Sequence, residues 1–192
     1  MRLFELIEPK RGIGVFTFGR MNPPTIGHEL LVNRVKEVAD KHGGEAIVFL
    51  SQTHKPPKDP LPFEMKVSMF ARAFPQVEVW DGREKEVRTP YDALSVMAER
   101  FDHIIMVVGS DRVGDFARME RYAREYGADR FEVVSAGERD PDADGVAGMS
   151  ASKARGLAMA GDVEGFMDAL PAAISRTAKL KAFRTIRQQS RS

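Results

Sequence analysis

Short apolar runs alternate with segments of helical spacing along most of this chain, and that alternation is what most narrows the folds open to it. The runs are Ile13 to Phe18, Ala46 to Leu50, Val77 to Trp80, Ile104 to Val108 and Phe131 to Val134. Each is rich in β-branched or aromatic residues, as buried strands are. Between them Leu30, Leu31, Val35 and Val38 recur at helical intervals, as do Val67, Phe70, Ala71 and Phe74. Residues Tyr91 to Phe101, Val113 to Tyr126 and Ala154 to Met159 read as further helices. Strands and helices in strict turn predict an α/β fold: a doubly wound, mostly parallel five-stranded sheet with helices on both faces. Ligands of such sheets sit beyond the carboxyl ends of the strands, near the reversal of strand order. The loops at 19–28, 109–112 and 135–152 are therefore the places to look for chemistry.

The chain of 192 residues carries a net charge of only +1, so no long-range field favours nucleic acid or a membrane surface. It has no cysteine, which excludes disulfides and thiolate chemistry, and a zinc site would have to be built on His28, His42, His54 and His103. No export signal or membrane-spanning run is evident, and a cytoplasmic protein is expected. Residues 1–160 are read as the main domain and 161–192 as a helical, basic tail. After Asp168 that tail holds Arg176, Lys179, Lys181, Arg184, Arg187 and Arg191 and no acid. A solvated helix packing Ile174, Leu180, Phe183 and Ile186 on the body or on a second subunit is preferred to an arm for nucleic acid.

After the first strand the chain reads Phe18-Gly19-Arg20-Met21-Asn22-Pro23-Pro24-Thr25-Ile26-Gly27-His28. Two prolines place a turn between strand and helix. Gly19 suits a positive φ, Gly27 leaves room for a ligand, and the amides of a new helix form an anion seat. If the helix starts near Thr25, that residue and His28 share one face of its first turn and can both donate to one phosphate. An imidazole there, able to carry positive charge, would stabilise charge developing on an α-phosphate. The same string also fits a plain strand-turn-helix with His28 as a cap.

A second seat lies at Gly148-Met149-Ser150-Ala151-Ser152-Lys153-Ala154-Arg155. Ser150 or Ser152 suits an N-cap, with Lys153 and Arg155 adding charge, although a capped helix with solvated basic residues has the same pattern. Between the two, Thr89-Pro90-Tyr91-Asp92 opens a helix and Gly109-Ser110-Asp111 follows the fourth strand. Lys55, Lys58 and Lys66 surround a proline-rich loop and are read by default as solvated. Asp140 to Gly145 begins like a calcium loop but has Ala151, not Glu, at the twelfth position. Metalloprotease, P-loop and serine-hydrolase motifs are absent.

The string from Gly19 to His28 resembles the HxGH signature of the nucleotidylyltransferase superfamily, with Thr25 at the first histidine. Phosphopantetheine adenylyltransferases share that threonine. Met149 to Arg155 resembles the second signature, I-S-x-T-x-x-R, with Met149 for Ile and Ser152 for Thr. Tyr91-Asp92-Ala93-Leu94 and Gly109-Ser110-Asp111 resemble elements of nicotinamide-mononucleotide adenylyltransferases. The whole set is also similar to cytidylyltransferase-like proteins of tailed bacteriophages, which would put the chain in a host cytoplasm.

The resemblance implies a Rossmann-like, HUP-type fold and an enzyme that joins a nucleoside monophosphate from an NTP to a phosphorylated acceptor. AMP transfer from ATP to nicotinamide mononucleotide is the preferred version; cytidylyl transfer to a sugar or polyol phosphate, or a non-catalytic nucleotide-binding assembly module, are the alternatives. It further implies that Thr25, His28 and Arg155 act at the phosphates. Phe18, Gly19, Arg20, Asn22, Gly27, Gly109, Asp111, Met149, Ser150 and Ser152 would line the nucleotide, and Lys55, Tyr91 and Arg139 the acceptor. Mg2+ would be held mainly by NTP phosphates and water, with no metal site of the protein's own. A homo-oligomer is also open.

Overall fold

The computed structural model describes residues 12–137 and 148–190. Five strands, β1 (Ile13–Gly19), β2 (Glu45–Leu50), β3 (Glu78–Val79), β4 (His103–Val108) and β5 (Arg130–Ser135), form one sheet in the order β3-β2-β1-β4-β5. Every neighbouring pair is parallel. The strand order reverses between β1 and β4, so their carboxyl ends define the crevice expected to hold a ligand.

Alternation along each strand sorts the core into two faces. Val15, Val48, Ile105 and Val107 point to one face, where α1 (Glu29–His42) and α2 (Phe63–Ala73) bury Val32, Val35 and Phe70. Phe16, Phe49, Ile104 and Met106 point to the other, against Leu94 and Met97 of α3 (Pro90–Arg100). Gly14 belongs to this second face. A side chain there would collide with Met97 and Phe101, so glycine is what lets α3 close on β1. Thr89 and Asp92 cap α3 reciprocally, and Pro90 takes the first helical position, where its missing N–H does no harm.

The expected single helix from Val113 to Tyr126 is two: α4 (Val113–Ala117) and α5 (Glu120–Glu125). The amide of Met119 bonds to Phe116 at 2.9 Å, an i to i−3 turn that tightens the path and drives Met119 fully into the core.

Beyond the sheet come α6 (Ala151–Ala160), α7 (Val163–Asp168) and α8 (Arg176–Gln189). Ala154 and Ala158 of α6 share one buried cluster with Phe166, Phe183 and Ile186, and with Leu61 and Met69 beside the sheet. Ile174 joins the cluster, while Leu180 is only half-buried. Lys179, expected in solvent, is buried and donates to the carbonyls of Met167 (2.7 Å) and Leu170 (2.8 Å). It thereby adds a donor to carbonyls at the end of α7. No helix among the described residues is long and apolar enough to cross a membrane.

Candidate active site

The two signatures meet at the carboxyl end of β1. Arg155, on the first turns of α6, donates from Nη1 to the carbonyl of Asn22 at 2.7 Å and from Nη2 to Ser152 Oγ at 3.0 Å. Thr25 Oγ1 donates to the carbonyl of Met149 at 3.0 Å. Ser150 is the N-cap of α6, accepting from the Lys153 amide at 3.1 Å, while Ser152 and Lys153 are exposed on the same turn. The carboxyl-terminal motif is thus stitched to the loop after β1 through backbone carbonyls at two points.

Within that loop the geometry departs from the sequence reading in four ways. The positive φ falls on Met21 (39°) and not on Gly19, which ends β1. A side chain on Gly19 would crowd that of Met21 at 3.2 Å, so the glycine makes room for a buried neighbour. Residues Ile26–His28 form a 3-10 turn, and its amides are partly consumed inside the protein: Ile26 N donates to Ala169 O at 3.1 Å and His28 N to Thr25 O at 3.0 Å. Thr25 is fully buried behind His28, its hydroxyl between Met149 O and the imidazole, and does not line an open surface. Asn22, also fully buried, spends its amide on Leu61: Nδ2 donates to the Leu61 carbonyl at 3.3 Å, and Oδ1 accepts from the Leu61 amide at 3.0 Å.

His28 is half-buried and held by its Nδ1. The Thr25 backbone N–H donates to that nitrogen at 2.9 Å, and Thr25 Oγ1 lies at the same distance. A nitrogen that accepts cannot also carry the proton, so Nε2 is the ring nitrogen that carries the hydrogen. The contacts at Nδ1 fix the orientation of the ring.

Lys66 is the residue that sequence reasoning placed wrongly. It lies on α2, not in the preceding loop, and is fully buried. Its Nζ donates to the carbonyl of Arg20 at 3.3 Å and to that of Ser51, tying the ends of β1 and β2 together. Burial pulls its pKa from 10.5 down to about 8; Asp59 offsets part of this and Arg20 adds to it. A signal was available, because Lys66 sits three and four residues before Met69 and Phe70 on the apolar stripe of α2. Burial likewise lowers the Arg155 pKa, with Asp59 again raising and Arg20 lowering it.

Asp59, not singled out from the sequence, is buried at 5% exposure and faces Arg20 at 3.9 Å. Arg20, Lys66 and Arg155 thus gather around the segment 20–22, with Asp59 the one carboxylate among the described residues there. Phe18 packs against the core below, and Gly27 is buried. Gly109 lies one residue past β4, opening a 3-10 turn with exposed Asp111; a side chain at 109 would meet the Asp111 carboxylate at 2.8 Å. Lys55 is exposed on a tight hairpin that its backbone closes with Asp59. Tyr91 is half-buried in the first turn of α3, its ring 5.0 Å from that of Tyr122. Arg139 and the acidic stretch Asp140 to Gly145 lie outside the described residues. No three His, Asp or Glu side chains among the described residues converge as a metal cage.

No curated protein matches this chain in sequence. Among solved structures, the nicotinic acid mononucleotide adenylyltransferase of Plasmodium falciparum is similar in two forms. Complexed with NaAD it has a TM-score of 0.59 at 15% identity, covering 91% of this chain and 98% of that one. Complexed with APC it has a TM-score of 0.58 at 14% identity, with the same coverage. A structure assigned as a nicotinate-nucleotide adenylyltransferase, from Vibrio parahaemolyticus, has a TM-score of 0.57 at 17% identity, covering 90% and 99%. At these identities the likeness is one of fold. A model of the cytidylyltransferase-like family matches residues 16–157, which take in the carboxyl end of β1, the crevice and most of α6. With both signature loops inside that span and joined at one crevice, the chain belongs to the cytidylyltransferase-like family of nucleotidyltransferases.

Proposed function

We propose that this enzyme transfers AMP from ATP to a pyridine mononucleotide, nicotinamide mononucleotide first, and releases pyrophosphate. The observation that carries the reading is the 2.7 Å bond from Arg155 to the carbonyl of Asn22, which sets the second signature's guanidinium beside the first signature's loop. A single polyphosphate can then meet both.

In the reaction, an acceptor phosphate oxygen forms a bond to the α-phosphorus while the bond from that phosphorus to the bridging oxygen of the β-phosphate breaks. No covalent enzyme intermediate is needed, so catalysis is positioning and charge neutralisation. His28 donates from Nε2 to an α-phosphate oxygen, its ring locked by Thr25. Arg155 keeps further N–H groups for the leaving pyrophosphate, aided by Arg20 and the Ser152 hydroxyl. Lys66 holds the loop under Arg20 in place. The described residues form a cationic anion seat and not a carboxylate cage, which fits Mg2+ arriving on the triphosphate, where it would screen charge.

Support for the acceptor comes from the solved neighbours, two of which are nicotinic acid mononucleotide adenylyltransferases. The name of the matched family favours a second reading, cytidylyl transfer to a sugar or polyol phosphate. Pyrophosphate release from each of four NTPs, with nicotinamide mononucleotide, its carboxylate counterpart and polyol phosphates, separates the two. ATP with a pyridine mononucleotide is expected to be fastest. Turnover confined to CTP with a polyol phosphate would replace the first reading by the second. ATP binding with no release for any acceptor would make the chain a binding module.

A further inference from the structure

Among the described residues Asp59 is the only buried acidic side chain, and it stands in a seat otherwise made of cations. Its place is fixed from two sides. Asn22 clasps Leu61, two residues on, with both ends of its amide. The Asp59 backbone, not its carboxylate, closes the hairpin with Lys55 at 2.8 and 3.1 Å. The carboxylate itself faces Arg20 at 3.9 Å, and its charge is felt by Lys66 and Arg155. The hairpin therefore does not need a carboxylate at position 59. A negative charge shielded from water beside a polyanion site also repels the ligand, and salt screens that repulsion poorly.

We propose that Asp59 is a positioning residue that sets how tightly the seat holds polyphosphate: it offsets the mutual repulsion of Arg20, Lys66 and Arg155 when the seat is empty and weakens the grip of Arg20 and Arg155 on the pyrophosphate product. This deepens the nucleotidyl-transfer reading and rests on it. Once the bond at the α-phosphorus breaks, the leaving group gains negative charge on the same cations that held it within the NTP. With cations alone it would be retained. A resident carboxylate lets it go.

Calorimetric titration of the full chain with inorganic pyrophosphate, for wild type, Asp59→Asn and Asp59→Glu, tests this beside steady-state turnover. The isosteric Asn variant is expected to bind pyrophosphate about three- to tenfold more tightly. Its kcat and its KM for NTP should fall together, and Asp59→Glu should stay near wild type. Unchanged or weaker pyrophosphate binding by Asp59→Asn overturns the proposal. So does an Asn variant that fails to fold while the Glu variant folds, since the carboxylate is then structural. If wild type turns over normally and the Asn variant binds no more tightly, only the role of Asp59 falls. If wild type neither binds pyrophosphate nor releases it from any NTP, the nucleotidyl-transfer reading falls, and this proposal with it.

Discussion

The hydroxyl of Thr25 donates to the carbonyl of Met149 across 3.0 Å, joining residues 124 positions apart in the chain. The same threonine offers its backbone amide to His28 Nδ1, so one residue couples the second signature to the orientation of the imidazole. Thr25→Val keeps the shape and removes the hydroxyl. The Met149 carbonyl then loses a partner, and stability should fall by about 1 kcal/mol in urea unfolding. Because the backbone bond to His28 survives, kcat should drop less than for a change at His28, and Thr25→Ser should recover most of the loss. A Val variant of wild-type stability would show that the hydroxyl does not join the two loops.

For His28→Ala the proposed role of the ring predicts a loss in kcat of about 100- to 1000-fold, with a smaller change in KM for the NTP. Pyrophosphate release under saturating substrate measures it. Turnover that survives the substitution would remove the imidazole from the reaction.

Arg155→Lys preserves charge but not the planar fork that reaches Asn22 and Ser152 together. The variant is expected to raise KM for the NTP by about tenfold, because an ammonium cannot hold the Asn22 carbonyl and still present parallel donors to pyrophosphate. Equal KM values for lysine and arginine would mean that net charge alone suffices.

Lys66 makes stability depend on pH in a predictable direction. Its folded pKa, about 8, lies below the unfolded value of 10.5. Between the two the unfolded chain binds more protons, so the burial penalty is full below about pH 8 and is relieved as pH rises toward 10.5. The unfolding free energy of wild type minus that of Lys66→Met should therefore increase by about 2 kcal/mol from about pH 7 to 10. Urea titrations at several pH values read this difference; a flat line would show that the ammonium is not desolvated.

The strands were legible because a parallel sheet covered on both faces demands apolar, β-branched runs, and Ile104 to Val108 offers little else. The strand order, which reverses between β1 and β4, is a property of the fold that the alternation alone does not specify. Tertiary packing decided what local pattern could not. Burial of Met119 breaks a helix whose spacing is continuous, and Lys66 and Asn22 are polar residues whose partners are carbonyls and amides distant in sequence. Thr25 illustrates the limit best. Its position in a signature marks it as important, but only the fold reveals that it faces Met149 and not open solvent.

The bond from the Ile26 amide to the Ala169 carbonyl, together with those from Thr25 to Met149 and from Arg155 to Asn22, has a consequence for how the enzyme is made. During synthesis the loop after β1 leaves the ribosome early, yet the partners that shape it arrive only with α6 and α7. Until then a nascent chain can pair its central strands but cannot hold a nucleotide. Competence for ligand is thereby delayed until α6 and α7 have emerged, and bound nucleotide should then act as a brace for newly made protein.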